Sequence, residues 1–207
     1  MIDALTKATL TTSPDSLQWA VLDRSSLPPE FQGFDLFREG VLDNEAMAQQ
    51  GFPGNTAQTF RSHGRLTGYI KEYLAPSTSP GVAPGTDVAI ATVVHLFDNR
   101  DAVSAWMNDV FLKQFEQHVG RAVGKDQRLL SARRLPASGF HDEAVGLKAV
   151  QNGPNGLFSS TVVDFRIGRL LGVAFLVTAG DVDRLGLAVQ VAREFERQTV
   201  RVVLGAA

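Results

Sequence analysis

Residues 64–74, GRLTGYIKEYL, place Leu66, Gly68, Ile70 and Glu72 on one side and Thr67, Tyr69, Lys71 and Tyr73 on the other. A period of two predicts a strand with two distinct faces. Residues 88–97, VAIATVVHLF, are apolar at nearly every position, which predicts a central strand covered on both sides. The Pro/Gly/Ser-rich stretch 75–87 between them reads as a hairpin linker, so the two strands are expected to pair antiparallel. The period then changes. Val103, Trp106, Met107, Val110, Phe111, Phe115 and Val119 recur at three- and four-residue steps after Asp98 or Asn99, either of which can cap a helix, and Gly120 closes it. Residues 121–139 read as irregular and basic, with Arg121, Lys125, Arg128, Arg133 and Arg134.

Three further strands are predicted, over 143–150, 158–166 and 169–178. The last two form a hairpin around Ile167 and Gly168, where glycine supplies the positive φ that a tight turn favours. Gly168→Val is therefore expected to cost more than the same change at Gly81 in the 75–87 linker. A second long helix runs from about Asp181 to Val203, with Val182, Leu185, Val189, Ala192, Phe195, Thr199 and Val203 inward. Upstream, residues 1–15 are expected to form a loosely ordered arm, and 17–22 a short strand or helical turn. LPPEFQGFDLF at 27–37 reads as an extended segment, and 38–50 as holding a short helix ending near Gly51. These elements predict an α+β fold in one domain over residues 1–207. It has a single twisted antiparallel sheet of about five to six strands, with two long helices packed on one face.

The chain has 207 residues, 44% of them apolar and 20% charged, with a formal net charge of −2. That fits one sizeable core and gives no electrostatic footprint for nucleic acid. The basic 121–139 stretch has no aromatic residues on which bases could stack. Cysteine is absent, which excludes disulfides, zinc–thiolate sites and thiol catalysis. No apolar run is long enough for a transmembrane helix. The opening MIDALTKATL has no signal-peptide pattern as it stands.

The search for chemistry is mostly negative. Neither GxxxxGK[ST] nor a GxGxxG after a strand occurs, and GxSxG is missing. The four histidines, His63, His95, His118 and His141, form no HxH, HxxxH or HExxH pair, so no metal site and no cofactor is expected. His95 sits on the central strand, either as a cleft-facing group or as a satisfied core histidine. His141-Asp142-Glu143 is either a solvated turn or a cation-binding cluster in which His141 and Glu143 converge. Asp164 and Arg166 share a strand face and read as a surface pair.

Several segments in order, LPPEFQGFDLF, GRLTGYIKEY, VVHLFDNRDAVSAWM, HDEAVGLKA and VVDFRIGRLLGVAFL, then an amphipathic C-terminal helix, carry a resemblance over roughly residues 20–203. Its most specific element is FRIGR, Phe165 to Arg169. The chain resembles the extracellular sensor domains of mycobacterial receptor Ser/Thr kinases of the PknH type, and their lipoprotein relatives. The resemblance implies a twisted sheet backed by helices, a cleft for an unidentified ligand, and a location outside the cytoplasm with the export signal absent. On that basis the expected function is non-catalytic ligand binding or sensing. The expected ligand-binding residues are His95, Trp106, Phe111, Phe115, His141 and Arg166, with Phe175 as a further wall residue. The partner is then an unknown small molecule or protein. Two alternatives stay open. One is a protein-interaction module using apolar loop residues such as Phe52, Val82 and Leu135. The other is a hydrolase pairing His95 or His141 with Glu143 or Asp164.

Overall fold

The computed structural model describes residues 3–76, 82–124, 126–154 and 156–206. Gly81 and Lys125 lie outside these. Eight strands form one antiparallel sheet: β1 (Asp35–Val41), β2 (Arg65–Leu74), β3 (Asp87–Phe97), β4 (Ala122–Gly124), β5 (Gln127–Leu135), β6 (Glu143–Gly153), β7 (Gly156–Ile167) and β8 (Leu170–Ala179). Their spatial order is β1-β2-β3-β8-β7-β6-β5-β4. Two meanders, β1 to β3 and β4 to β8, thus meet at the β3–β8 pairing, with His95 opposite Leu171 and Val93 opposite Val173.

The five predicted strands are all present, but the sheet has eight, so the estimate of five to six was low. The additional strands are β1 at one edge and the β4–β5 pair at the other. β1 occupies 35–41, where an extended segment running into a helix was expected, and most of its side chains are exposed. β4 and β5 occupy the stretch read as irregular. Their ladder slips at bulges between Ala122 and Gly124 and between Leu129 and Ser131. These marginal strands bury few of their side chains, and charge at a sheet margin discourages association with other chains. The arginines of 121–139 therefore concealed a strand.

The helices also differ from the expected pair on one face. They cover both faces, and only α7 (Leu185–Val203) is long and unbroken. On its side, Val191, Ala192 and Phe195 pack with Leu22, Leu27 and Phe31 of the N-terminal segment against Ile90, Val94, Val163, Phe165 and Leu176. α1 (Ala4–Thr9) and α2 (Leu17–Ala20) belong to this segment, and α1 is capped by Asp3, which accepts from the Thr6 amide at 2.9 Å.

The opposite face is covered by a helix in three pieces: α5 (Arg100–Ala105), a π-helical stretch from Trp106 to Phe111, and α6 (Leu112–His118). This composite helix leaves the end of β3 and must reach β4 at the far edge, so it crosses the whole C-terminal meander. Val103, Trp106 and Met107 pack on Phe97 and Leu171, and Leu112 on Leu147 and Val162. α3 (Asn44–Gln50) and α4 (Ala57–Ser62) complete the layer.

α3 begins where Asp43 accepts a hydrogen bond from the Ala46 amide at 2.8 Å. Replacing an N-cap aspartate by alanine typically costs about 1 kcal/mol. Asp43→Ala is therefore expected to lower stability by about that amount in chemical denaturation. An unchanged midpoint would mean that tertiary contacts alone hold α3.

Candidate functional site

Side-chain alternation places Ile70 and Glu72 of β2, Ala91, Val93 and His95 of β3, Val173 and Phe175 of β8, and Val162 and Asp164 of β7 on the face under the composite helix. Helix and sheet do not close completely. A cavity of about 240 Å³ lies between them, with Met47, Gln50 and Gly51 from the end of α3 as one wall. It shares Trp106, Phe111, Phe115 and Phe175 with an adjoining cavity of about 340 Å³, which extends to Val123, Gln127 and Leu129 of the far strands. The two form one groove across the sheet. Both Trp106 and Phe111 belong to the π-helical stretch. Its i→i+5 hydrogen bonding turns residues five apart toward a common side, and such stretches recur at functional sites.

Two larger hollows lie elsewhere, of about 560 Å³ beside the Lys71–Asp23 ion pair and about 620 Å³ beside the exposed Trp19. The first is more open to solvent than the groove, and among the described residues neither contains a buried group lacking a partner.

The polar lining around Asp164 is Arg38, Gln50, Glu72 and His95, and the adjoining cavity adds Asn55, Gln114, Gln127, Gln151 and Ser160. Asp164 is 1% exposed, and neither of its carboxylate oxygens has a hydrogen-bond partner. Burial pushes its carboxyl well above the usual carboxylate range, because an isolated charge in apolar surroundings is costly and the group stays protonated instead. Glu72 is held by Arg38 at 2.9 Å.

His95 is supported from behind by Arg65. A bulge between Arg65 and Thr67 re-aims the arginine inward, where it is 1% exposed. Its Nε donates to His95 Nδ1 at 3.1 Å, its Nη1 to Asn44 Oδ1 at 2.6 Å and its Nη2 to the Leu42 carbonyl at 2.6 Å. Gly68 makes room for this pair. A Cβ there would stand 2.8 Å from both Arg65 Nη2 and His95 Nδ1. Burial pulls the Arg65 guanidinium down to about 10. Burial and the adjacent guanidinium keep His95 well below its ordinary range, hence neutral. A guanidinium can only donate, so Nδ1 accepts and the imidazole proton sits on Nε2.

Of the expected ligand-binding residues, His95, Trp106, Phe111 and Phe115 line the groove, and so does Phe175. Arg166 and His141 do not. Arg166 is bound to Asp142 at 3.1 Å and Glu143 at 3.4 Å. The expected Asp164–Arg166 surface pair does not form: Asp164 is buried and alone, and Arg166 turns to the acids that precede and begin β6. His141 stands 3.5 Å from Asp3 and 3.9 Å from Asp142, on an exposed surface. It converges with these two rather than with Glu143, because residues 141 and 142 lie before the strand, where alternation does not apply. Glu143 instead accepts from Ser104 and, at 2.6 Å, from Asn108. Neither His95 nor His141 meets Glu143 or Asp164, so the hydrolase pairing is not assembled. Phe52 and Val82 are half-buried and Leu135 is buried, so they do not form an exposed docking patch. The sequence reading missed Arg65 and the isolation of Asp164. The signal for the latter was an acid inside the apolar run TVVDF.

No family model matches this sequence, and no curated protein does. Among solved structures, the chain is similar to the extracellular domain of PknH from Mycobacterium tuberculosis. The TM-score is 0.60 at 9% identity, over 91% of this chain and 96% of that one. The likeness is one of fold. An uncharacterised protein of Mycobacterium smegmatis, the Rv0999 ortholog, aligns over 86% of this chain and 93% of its own with 10% identity and a TM-score of 0.47. The sequence-level resemblance to the PknH type thus holds for architecture, and at 9% identity no residue role passes from one chain to the other. Among the described residues, no helix is long and apolar enough to cross a membrane.

Proposed function

We propose that this protein is a non-catalytic ligand-binding domain of sensor type, working outside the cytoplasm, with its ligand in the groove between the composite helix and the sheet. The observation that carries this reading is Asp164, a buried carboxyl without a partner inside a walled, aromatic cavity. A buried polar group left unsatisfied costs about 1–3 kcal/mol, so such a group calls for a reason beyond folding. A ligand that supplies the missing partner is that reason. The π-helical roof and the aromatic walls with polar groups set among them fit the usual character of small-molecule sites. The fold likeness to an extracellular domain supports the location and the sensor role.

A thermal-shift screen of small metabolites, lipids and sugars tests this. A ligand at a hundred times its Kd adds about 2.7 kcal/mol to stability, hence roughly 5–10 °C in Tm for a chain of this size. Val173→Trp, which puts an indole on the groove floor, is expected to abolish the shift. A shift that survives this substitution places the ligand elsewhere and overturns the reading.

A further inference from the structure

The chemistry of the groove narrows the class of ligand, on the premise that the groove binds one. The basic side chains nearest it are all committed. Arg38 is engaged by Glu72 and Gln50, Arg65 by His95, Asn44 and the Leu42 carbonyl, and Arg166 by Asp142 and Glu143. No donor reaches Asp164 among the described residues. Apart from Arg38, Gln50, Glu72 and His95, the lining around it is aromatic or aliphatic, with Trp106, Phe111, Phe115 and Phe175 presenting rings to the same cavity.

A ligand carboxylate could take one hydrogen bond from the protonated Asp164, but its charge would then face Glu72 and the electron-rich aromatic rings with Arg38 already engaged. A sugar seated at Asp164 would find Arg38, Glu72 and Gln50 already bound to one another, leaving too few free partners there for its hydroxyls. A positively charged nitrogen with N–H donors meets both features at once: it hydrogen-bonds to the orphan oxygens, and its charge is attracted to aromatic faces. We infer that the groove takes a primary or secondary amine with an apolar body, the ammonium group held by Asp164 and the aromatic rings of the roof. This inference rests on the ligand-binding reading above and specifies it.

Proton balance follows. The free protein holds Asp164 as the neutral acid. An alkylammonium ion that binds as an ion pair displaces that proton to solvent. Affinity therefore rises with pH, by up to about tenfold per unit, until Asp164 is ionised in the free protein. The ionisable groups lining the groove with it are His95 on β3 and Arg38 and Glu72 on β1 and β2; farther along this face stand Arg166 and Glu143 on β7 and β6, and Arg134 on β5 paired with Glu116 of α6. β8 and the composite helix present none to the groove. His95 is already neutral, and hydrogen bonds from Ser104 and Asn108 with the Arg166 charge outweigh burial and keep Glu143 ionised.

Isothermal titration of the full chain with hexylamine, hexanol and hexanoate tests the inference. Hexylamine is expected to bind at least tenfold more tightly than hexanol, with hexanoate weakest. Asp164→Asn is expected to remove at least tenfold of the amine affinity and to leave hexanol within about threefold. Should that variant not fold, wild-type protein suffices: amine affinity climbs as the pH is raised from about 4 while alcohol affinity stays flat. Titration in buffers of different ionisation enthalpy should show proton release on amine binding. Hexanol binding as tightly as hexylamine, or amine affinity flat with pH, overturns the amine assignment, while loss of hexanol binding in Val173→Trp would leave the groove itself intact. Absence of binding by all three overturns the amine assignment, and the groove falls with it only if ligands from the wider screen also survive Val173→Trp.

Discussion

Asp164→Leu is expected to stabilise the protein, and by more as the pH rises. At pH 4 and below, the gain is the cost of an unpaired buried carboxyl, about 1–3 kcal/mol. Above that, linkage adds to it. The folded-state pKa of Asp164 is raised, so the native chain keeps its proton after the unfolded chain, with an aspartate pKa near 3.9, has lost its own. The unfolded state then binds fewer protons, and wild-type stability falls with rising pH by up to about 1.4 kcal/mol per unit from this group. The cost of Asp164 is thus smallest below the unfolded pKa and grows as the pH rises toward the folded one. Leucine has no proton to lose, so the two stability curves should diverge from about pH 4 upward. Urea denaturation of both proteins at pH 4, 6 and 8 reads this directly. A constant difference across the three would mean that Asp164 finds a partner in solution. A more stable protein without the acid would fit the common trade between stability and function.

Gly168→Val carries the second large effect, in the opposite direction. Gly168 has φ +53°, a region that β-branched residues avoid. The structure adds a steric reason that the sequence did not hold. A Cβ at this position would collide with Thr9 Oγ1 and stand 3.2 Å from the Thr6 Cα. Strain and overpacking together should cost about 2–4 kcal/mol. The turn is also where the N-terminal segment is tied to the sheet. Gly168 N donates to Asp142 at 2.9 Å, and Arg169 Nε to the Thr9 carbonyl at 2.9 Å. Gly33 is the suitable comparison, since it has open space around its Cα and no positive φ. Equal denaturation midpoints for Gly168→Val and Gly33→Val would falsify the docking of α1 on the β7–β8 turn.

Where burial was two-sided or strictly alternating, the sequence was readable. β3 and the β7–β8 hairpin announce themselves through VAIATVVHLF and VVDFRIGRLLGVAFL, because central strands tolerate few polar residues. β1 and β5 do not, because their apolar positions serve one face only and bulges break the period. The composite helix was recognisable from its apolar steps, but not its π-helical stretch, since i→i+5 bonding leaves no periodic mark in six residues. The groove was legible as aromatic residues on facing elements. Its polar chemistry was not. Asp164 and Arg166 stand two apart on one strand and invite pairing, and only the positions of Asp142 and Glu143 show why Arg166 turns away. Arg65 reads as a surface charge beside a turn until the bulge that directs it inward is known.

The seam between the two meanders bears on when the groove comes into being. Its floor takes His95 from β3 and Asp164 and Phe175 from β7 and β8, and the β3–β8 pairing joins residues far apart in sequence. Pairings of that kind close late and set the pace of folding, whereas each meander can zip through local hairpins. Either meander alone would lack part of the floor, so a chain interrupted before β8 would carry the composite helix over an incomplete sheet. Competence to bind would then arrive in one step with the final long-range closure.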